Sequence, residues 1–114
     1  MLKSIINEFR QQNGLPTVAM GNFDEDHNCL WHCKHMAEVQ DCRHAPGHLR
    51  QGKAEAVAVR SFFRDHYDAL RAIVFDQFAG SIGHRDILLF SENLACAFHV
   101  DHNYNCVFVT VRGW

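Results

Sequence analysis

The chain has 114 residues, enough for one domain with a single modest core, so we expect one domain over residues 1–114. Its composition is 47% hydrophobic and 21% charged with two prolines, which is typical of a folded protein and excludes a disordered chain. The net charge is −2 and the basic residues are scattered, which argues against a nucleic-acid partner because phosphate binding needs a clustered cationic surface.

Two amphipathic helices are predicted in the first 40 residues. Leu2, Ile5, Ile6 and Phe9 fall on one helical face, and Gly14-Leu15-Pro16 supplies a stop, so the first helix covers about residues 2–13. Asn22, followed three positions later by Glu25, predicts the start of a second helix that runs to about Gln40. Its buried face is predicted to contain Leu30, Cys33 and Ala37, with Cys29 or Met36 at the edge.

The middle of the chain mixes a loop, an ambiguous segment and a third helix. Residues 41–51 contain Pro46 and Gly47 and are predicted to form a loop. Residues 54–59 fit either a strand or a helix. A third helix follows a cap at Asp65 and stops near Gly80, and a short helical turn is predicted around residues 84–89.

The last part of the chain predicts a β-hairpin. Residues 94–100 and 106–111 are apolar and rich in β-branched or aromatic side chains, with Asp101-His102-Asn103 between them. Asp101, His99 and His102 are expected at the tip, facing solvent. Because both strands are nearly continuously apolar, helices should cover both faces of the sheet.

Five cysteines leave at least one thiol unpaired within the chain. Cys29 and Cys33 lie four residues apart on a predicted helix, where disulfide geometry is rare, and are predicted to be buried thiols. Cys96 and Cys106 flank the hairpin turn and are placed opposite each other. That placement allows a cross-strand disulfide, and two small apolar residues on one face are the alternative.

Three stretches in order resemble the CAP superfamily, the cysteine-rich secretory, antigen-five and pathogenesis-related proteins, in a compact bacterial form. Ile6 to Pro16 resembles the first helix of that family, and His32 to Ala37 followed by His44 resembles its second helix and the histidine after it. Phe78 to Leu89 resembles the aromatic-x-x-Ser-x-Gly-His-Arg block of the bacterial branch, with Phe78 in place of the usual tryptophan. The final hairpin is similar to the last two strands of the family.

The resemblance implies an α+β fold, an α-β-α sandwich with a small antiparallel sheet between helix layers. It also implies a cleft where His44, His84 and an acidic residue converge and can hold zinc or another divalent metal. Glu55 is the expected carboxylate, although Ala54 and Ala56 stand where the family has glycine and asparagine. Glu92, in Ser91-Glu92-Asn93, is the rival on local sequence.

Other polar residues have two interpretations each. Arg85 could clamp an anionic ligand or could bind a neighbouring carbonyl or carboxylate. His32 and His35 interleave with Cys29 and Cys33 on one helix, which cannot easily wrap a tetrahedral ion, so helix packing is favoured over a zinc finger.

Three functions remain open at this level. The first is a binding module that presents the His/Glu cleft to a metal, a lipid or another small molecule. The second is a metal-dependent hydrolase with Glu55 as general base, and the third is an interaction domain whose nine histidines respond to pH. The resemblance implies an extracellular or cell-envelope protein. The start of this chain has no export signal, which leaves the cytoplasm as the alternative, and no apolar run approaches the about 20 residues that span a bilayer.

Overall fold

Helices and three strands account for most of the chain in the computed structural model, which describes residues 1–19 and 22–114. The helices are α1 (Leu2–Gln12), α2 (Phe23–Val39), α3 (Gly47–Arg50), α4 (His66–Ala72) and α5 (Ile82–Phe90). The strands are β1 (Ala54–Ser61), β2 (Leu94–Asp101) and β3 (Cys106–Gly113). No helix in these described ranges is both long enough and apolar enough to cross a membrane.

The three strands form one antiparallel sheet in the order β1-β3-β2. All eight residues of the central strand β3 are buried. On one face Val107, Val109 and Val111 pack in the core with α1, α4 and α5, and on the other Phe108 packs with Met36 of α2. The expected α+β fold with helices on both sides of the sheet is therefore confirmed, and the reason is the doubly apolar hairpin.

The first helix is tied to the loop that follows it by two polar side chains. Asn7 both accepts from the backbone N–H of Val18 and donates to its carbonyl. The buried guanidinium of Arg10 donates to the carbonyls of Pro16, Leu88 and Leu89. These bonds hold α1 against the end of α5, so the polar residues of this segment have a structural role.

The second helix begins as predicted, since Asn22 Oδ1 accepts a hydrogen bond of 3.0 Å from the backbone N–H of Glu25. Cys33 and Ala37 are buried as predicted, but Leu30 is only half-buried, and Cys29 and Met36, which were predicted at the edge, are fully buried. The prediction for Leu30 was wrong because the buried stripe also contains polar residues. Glu25 and His32 lie within it, and both have hydrogen-bond partners there.

The hairpin register rules out the predicted pairing of Cys96 with Cys106. The turn contains four residues, 102–105, so Cys96 lies opposite Val111 and Cys106 lies opposite Asp101. The two cysteines also pack in different clusters on opposite faces of the sheet, and all five cysteines are free. The possible disulfide and the alternative of two residues on one face are therefore both wrong, because positions an odd number of residues apart along a strand point to opposite faces.

Two further predictions at the loops need correction. Asp101 does not face solvent: it is the last residue of β2, is buried, and accepts hydrogen bonds from Gln40 Nε2 and the backbone N–H of Asn103. The loop over residues 41–51 contains the short helix α3. Residues 54–59, which fitted either a strand or a helix, belong to β1.

The third predicted helix starts at α4, where Asp65 accepts from the backbone N–H of Tyr67. From Ile73 to Phe78 it continues with π-helical geometry, which the sequence did not predict. The wider turn keeps Ile73, Val74 and Phe78 buried on one face. The helical turn predicted around residues 84–89 is longer than expected and forms α5.

Candidate functional site

The carboxylate of Glu55 is the centre of a polar cluster at the start of β1. Its side chain has no solvent exposure. Oε1 accepts from the backbone N–H of Ala45 at 2.9 Å and lies 3.0 Å from His44 Nδ1, while Oε2 accepts from Arg112 Nε at 3.0 Å. A buried carboxylate needs such partners, and here both oxygens are engaged.

The sheet register explains why Arg112 reaches Glu55. Arg112 of β3 lies directly opposite Glu55 of β1, so their side chains emerge on the same face of the sheet. That face is the one covered by α2, from which Glu25 approaches: Glu25 Oε1 is 3.5 Å from Arg112 Nη1 and 3.9 Å from Lys53 Nζ. Two cations and two carboxylates thus balance within one buried network.

His44 is fixed by Glu55 but stays accessible. Its side chain is 51% exposed, in contrast to the buried carboxylate behind it. Because a carboxylate oxygen only accepts, Nδ1 carries the hydrogen of this contact. In the neutral ring Nε2 is then the unprotonated nitrogen, which can accept a proton or bind a cation.

His84 lies close enough to His44 for the two rings to interact electrostatically. It is at the start of α5, where its ring makes an edge-to-face contact with Phe78 at a centroid distance of 5.3 Å. Burial, and then the charge of His44, lower the pKa of His84 below that of free imidazole. The structure therefore places the two histidines, forty positions apart in sequence, within electrostatic range of each other, and no hydrogen bond or ring contact joins them among the described residues.

Of the two candidate carboxylates, the structure brings Glu55 to His44. Glu92 is exposed between α5 and β2, where its backbone N–H donates to the carbonyl of Trp114. The side chain of Arg85 is half-buried, and its Nε has no hydrogen-bond partner among residues 1–19 and 22–114. The interpretation in which Arg85 binds a neighbouring carbonyl or carboxylate therefore finds no acceptor for this nitrogen among those residues.

The donor set around the histidines is small for a metal. No group of three or more His, Cys, Asp or Glu side chains suited to a metal ion is found in the described part of the chain. Both oxygens of Glu55 are already occupied by hydrogen bonds. The described residues therefore do not form a closed structural zinc site with four protein ligands.

The Cys/His set on α2 is accounted for by packing. His32 Nε2 is 2.8 Å from the carbonyl oxygen of Arg43, and Cys33 Sγ donates to Thr110 Oγ1 and to the carbonyl of Ala97. Burial raises the pKa of Cys33 to about 12 and also raises that of Cys29. These thiols are protonated at neutral pH and poor metal ligands, because the thiolate is the ligand form.

The sequence left part of this site unpredicted. Arg112 lies just beyond the predicted last strand, Glu25 was identified only as a capping residue, and Lys53 was placed next to a loop. Arg112 could have been identified because it is a charged residue that continues an otherwise apolar strand, and a charge in such a position needs a buried partner.

No protein-family model matches the chain, and no curated protein matches it. The resemblance to the CAP superfamily therefore depends on the motifs of the chain alone.

Proposed function

We propose that the chain is a CAP-type binding module that uses His44 and His84 to hold a divalent metal ion, with a small ligand in the remaining coordination positions. The contact that carries this proposal is the one between His44 Nδ1 and the buried Glu55. A carboxylate that holds one ring nitrogen of a histidine fixes its tautomer and makes the other nitrogen a better ligand.

Zinc is the ion that this donor set suits best, since imidazole nitrogen is one of its preferred ligands. With two protein ligands the ion would keep open positions for water or for an oxygen of a small molecule or lipid headgroup. Glu55 then acts behind the histidine as an orienting group. This differs from direct ligation by Glu55, which would require breaking one of its three hydrogen bonds.

The same contacts favour a binding module over a hydrolase. A general base must reach the proton of a bound water, which needs a free carboxylate oxygen. Glu55 has no exposed surface, and Arg112 and Ala45 compete for its lone pairs. An extracellular or cell-envelope setting belongs to the same proposal, because it comes from the same resemblance.

Calorimetric titration with zinc chloride tests the proposal. A His44→Gln, His84→Gln double variant should lose the binding heat, and each single variant should bind at least about tenfold more weakly, since each removes one of two ligands. A His27→Gln, His102→Gln double variant is the matched control, because both of those histidines are exposed and lie outside the cluster. Equal zinc affinity in the two double variants would refute the metal site.

A further inference from the structure

A second site lies between α2 and α3, in a pocket of about 210 Å³. The buried Arg112 lines it together with residues from the two helices: Asn28, Trp31, His48 and Gln51. His44 and His84 do not line it. The pocket thus borders the Glu55 cluster through Ala45 and Arg112 but is not lined by either proposed metal ligand. Its volume is below that of typical drug-sized pockets, which suits a ligand with a single ring.

The charges at the pocket cancel. Arg112 is the charged residue that lines the cavity, and its Nε and Nη1 already contact Glu55 and Glu25. Lys53 lies 3.9 Å from Glu25, so the network holds two positive and two negative groups. An anion would compete with these carboxylates for Arg112, and a cation would be repelled by it, so a neutral ligand is favoured.

The side chains that line the pocket keep both donors and acceptors without hydrogen-bond partners among the described residues. Among the described residues, Arg112 Nη2 and Gln51 Nε2 make no hydrogen bond and can donate. Asn28 donates to Glu25 through Nδ2, and its Oδ1 remains a free acceptor. A mixed set of this kind complements hydroxyl groups, because each hydroxyl both donates and accepts.

The pocket also presents a flat apolar surface. Trp31 is 58% exposed, and its ring is held parallel to that of His35 at a centroid distance of 5.8 Å with an angle of 3°. The indole makes no ring contact other than this one with the described residues. A large exposed aromatic side chain that is fixed in orientation is a ready stacking platform, because little rotamer freedom is lost on binding.

We propose that this pocket binds a neutral polyhydroxylated ring, a single hexopyranose unit, with its C–H face on Trp31 and its hydroxyl groups on Asn28, Gln51 and Arg112. The three observations are independent: the cancelled charge selects a neutral ligand, the free polar atoms select hydroxyl groups, and the indole selects a flat apolar face.

Nuclear magnetic resonance titration of the whole chain tests this proposal through its two indole N–H signals, with a Trp114→Phe variant to assign them. The probes are the methyl glycosides of glucose, galactose and mannose. At least one should shift the Trp31 signal in a saturable way, with a Kd in about the millimolar range expected for so small a ligand, while the Trp114 signal stays in place. Glucuronate and glucosamine, which carry a charge on the same ring, should bind more weakly than methyl glucoside.

A Gln51→Asn variant gives the residue-level test. Gln51 follows α3 in the left-handed conformation at φ 53°, which asparagine tolerates, and the shorter side chain withdraws the amide from the pocket. Affinity should fall by about 3- to 10-fold for the loss of one hydrogen bond. Gln40→Asn is the matched control, because Gln40 ends α2 at φ 52° and lies outside the pocket.

Three results would overturn the proposal. They are the absence of any Trp31 shift with all three glycosides, tighter binding of a charged sugar than of methyl glucoside, and equal effects of the two glutamine variants on affinity.

Discussion

Replacing Arg112 with methionine removes the guanidinium that two buried carboxylates share. The side chains of Arg112 and Glu55 are 3% and 0% exposed, and that of Glu25 is 8% exposed. After the substitution Glu55 keeps only His44 and the backbone N–H of Ala45, and Glu25 keeps Asn28 and the more distant Lys53. Methionine fills much of the same space, so the main change is electrostatic.

The expected cost is about 3–5 kcal/mol, the range found when one partner of a buried ion pair is removed. A domain of this size has a total stability of about 6–17 kcal/mol at the usual value per residue, so the variant should be folded but strongly weakened. The exposed pair of Arg43 with Asp41, with side chains 52% and 59% exposed, supplies the control. Arg43→Met should cost no more than about 1 kcal/mol.

Urea unfolding followed by circular dichroism measures the unfolding free energy of both variants. A deficit of about 1 kcal/mol or less, equal to that of Arg43→Met, would refute the electrostatic account of the cluster. An Arg112→Lys variant, which keeps the charge, should be the more stable of the two substitutions and serves if Arg112→Met does not fold.

Three further outcomes follow from burial and close contact. Because the pKa of His84 is lower in the folded chain than in free imidazole, the unfolded chain binds protons more readily at this residue. Without metal, the unfolding free energy should therefore fall as the pH drops through about 6.5. The His84→Gln variant should show a smaller fall when urea midpoints are measured across this pH range. Gly113→Ala places a Cβ against the side chain of Ser91 and should lower the free energy of unfolding by about 1–3 kcal/mol. Gly83→Ala on α5 places a Cβ where nothing lies within 4 Å and should raise the free energy of unfolding by about 0.5–1 kcal/mol. Thermal unfolding measures both changes. Cys42 is the exposed thiol, so a thiol reagent should modify one cysteine quickly in the native chain and all five in urea; rapid reaction of several would contradict the assigned burial.

The elements that sequence predicted well are those with local causes. The apolar spacing of α1, the Asn22 cap of α2 and the Asp65 cap of α4 each depend on a few neighbouring residues, and each is confirmed. The helices on both faces of the sheet followed from the doubly apolar hairpin for a similar reason. Such features need no knowledge of how distant segments meet.

The errors arose where a distant partner decides the outcome. The predicted strands leave five residues, 101–105, between them, whereas the turn has four, because Asp101 belongs to β2. Cys106 begins β3 and pairs with the last residue of β2, so Cys96, five residues before that end, could not lie opposite it. The buried face of α2 was assigned from its apolar residues, but the partners that bury Glu25 and His32 lie on β3 and in the loop after α2.

The candidate site likewise has a part that the sequence could predict and a part that it could not. The order of the motifs led us to expect His44 and His84 in one cleft, and the structure places them within electrostatic range of each other. The role of Glu55 could not be predicted, since a carboxylate that binds a metal directly and a carboxylate that orients a histidine are the same residue type at the same position. What separates them is Arg112, which occupies Oε2 and lies 57 positions away in sequence but directly opposite in the sheet. A residue's chemistry in a buried site is set by the partners that fill its lone pairs, and those partners are fixed by strand register.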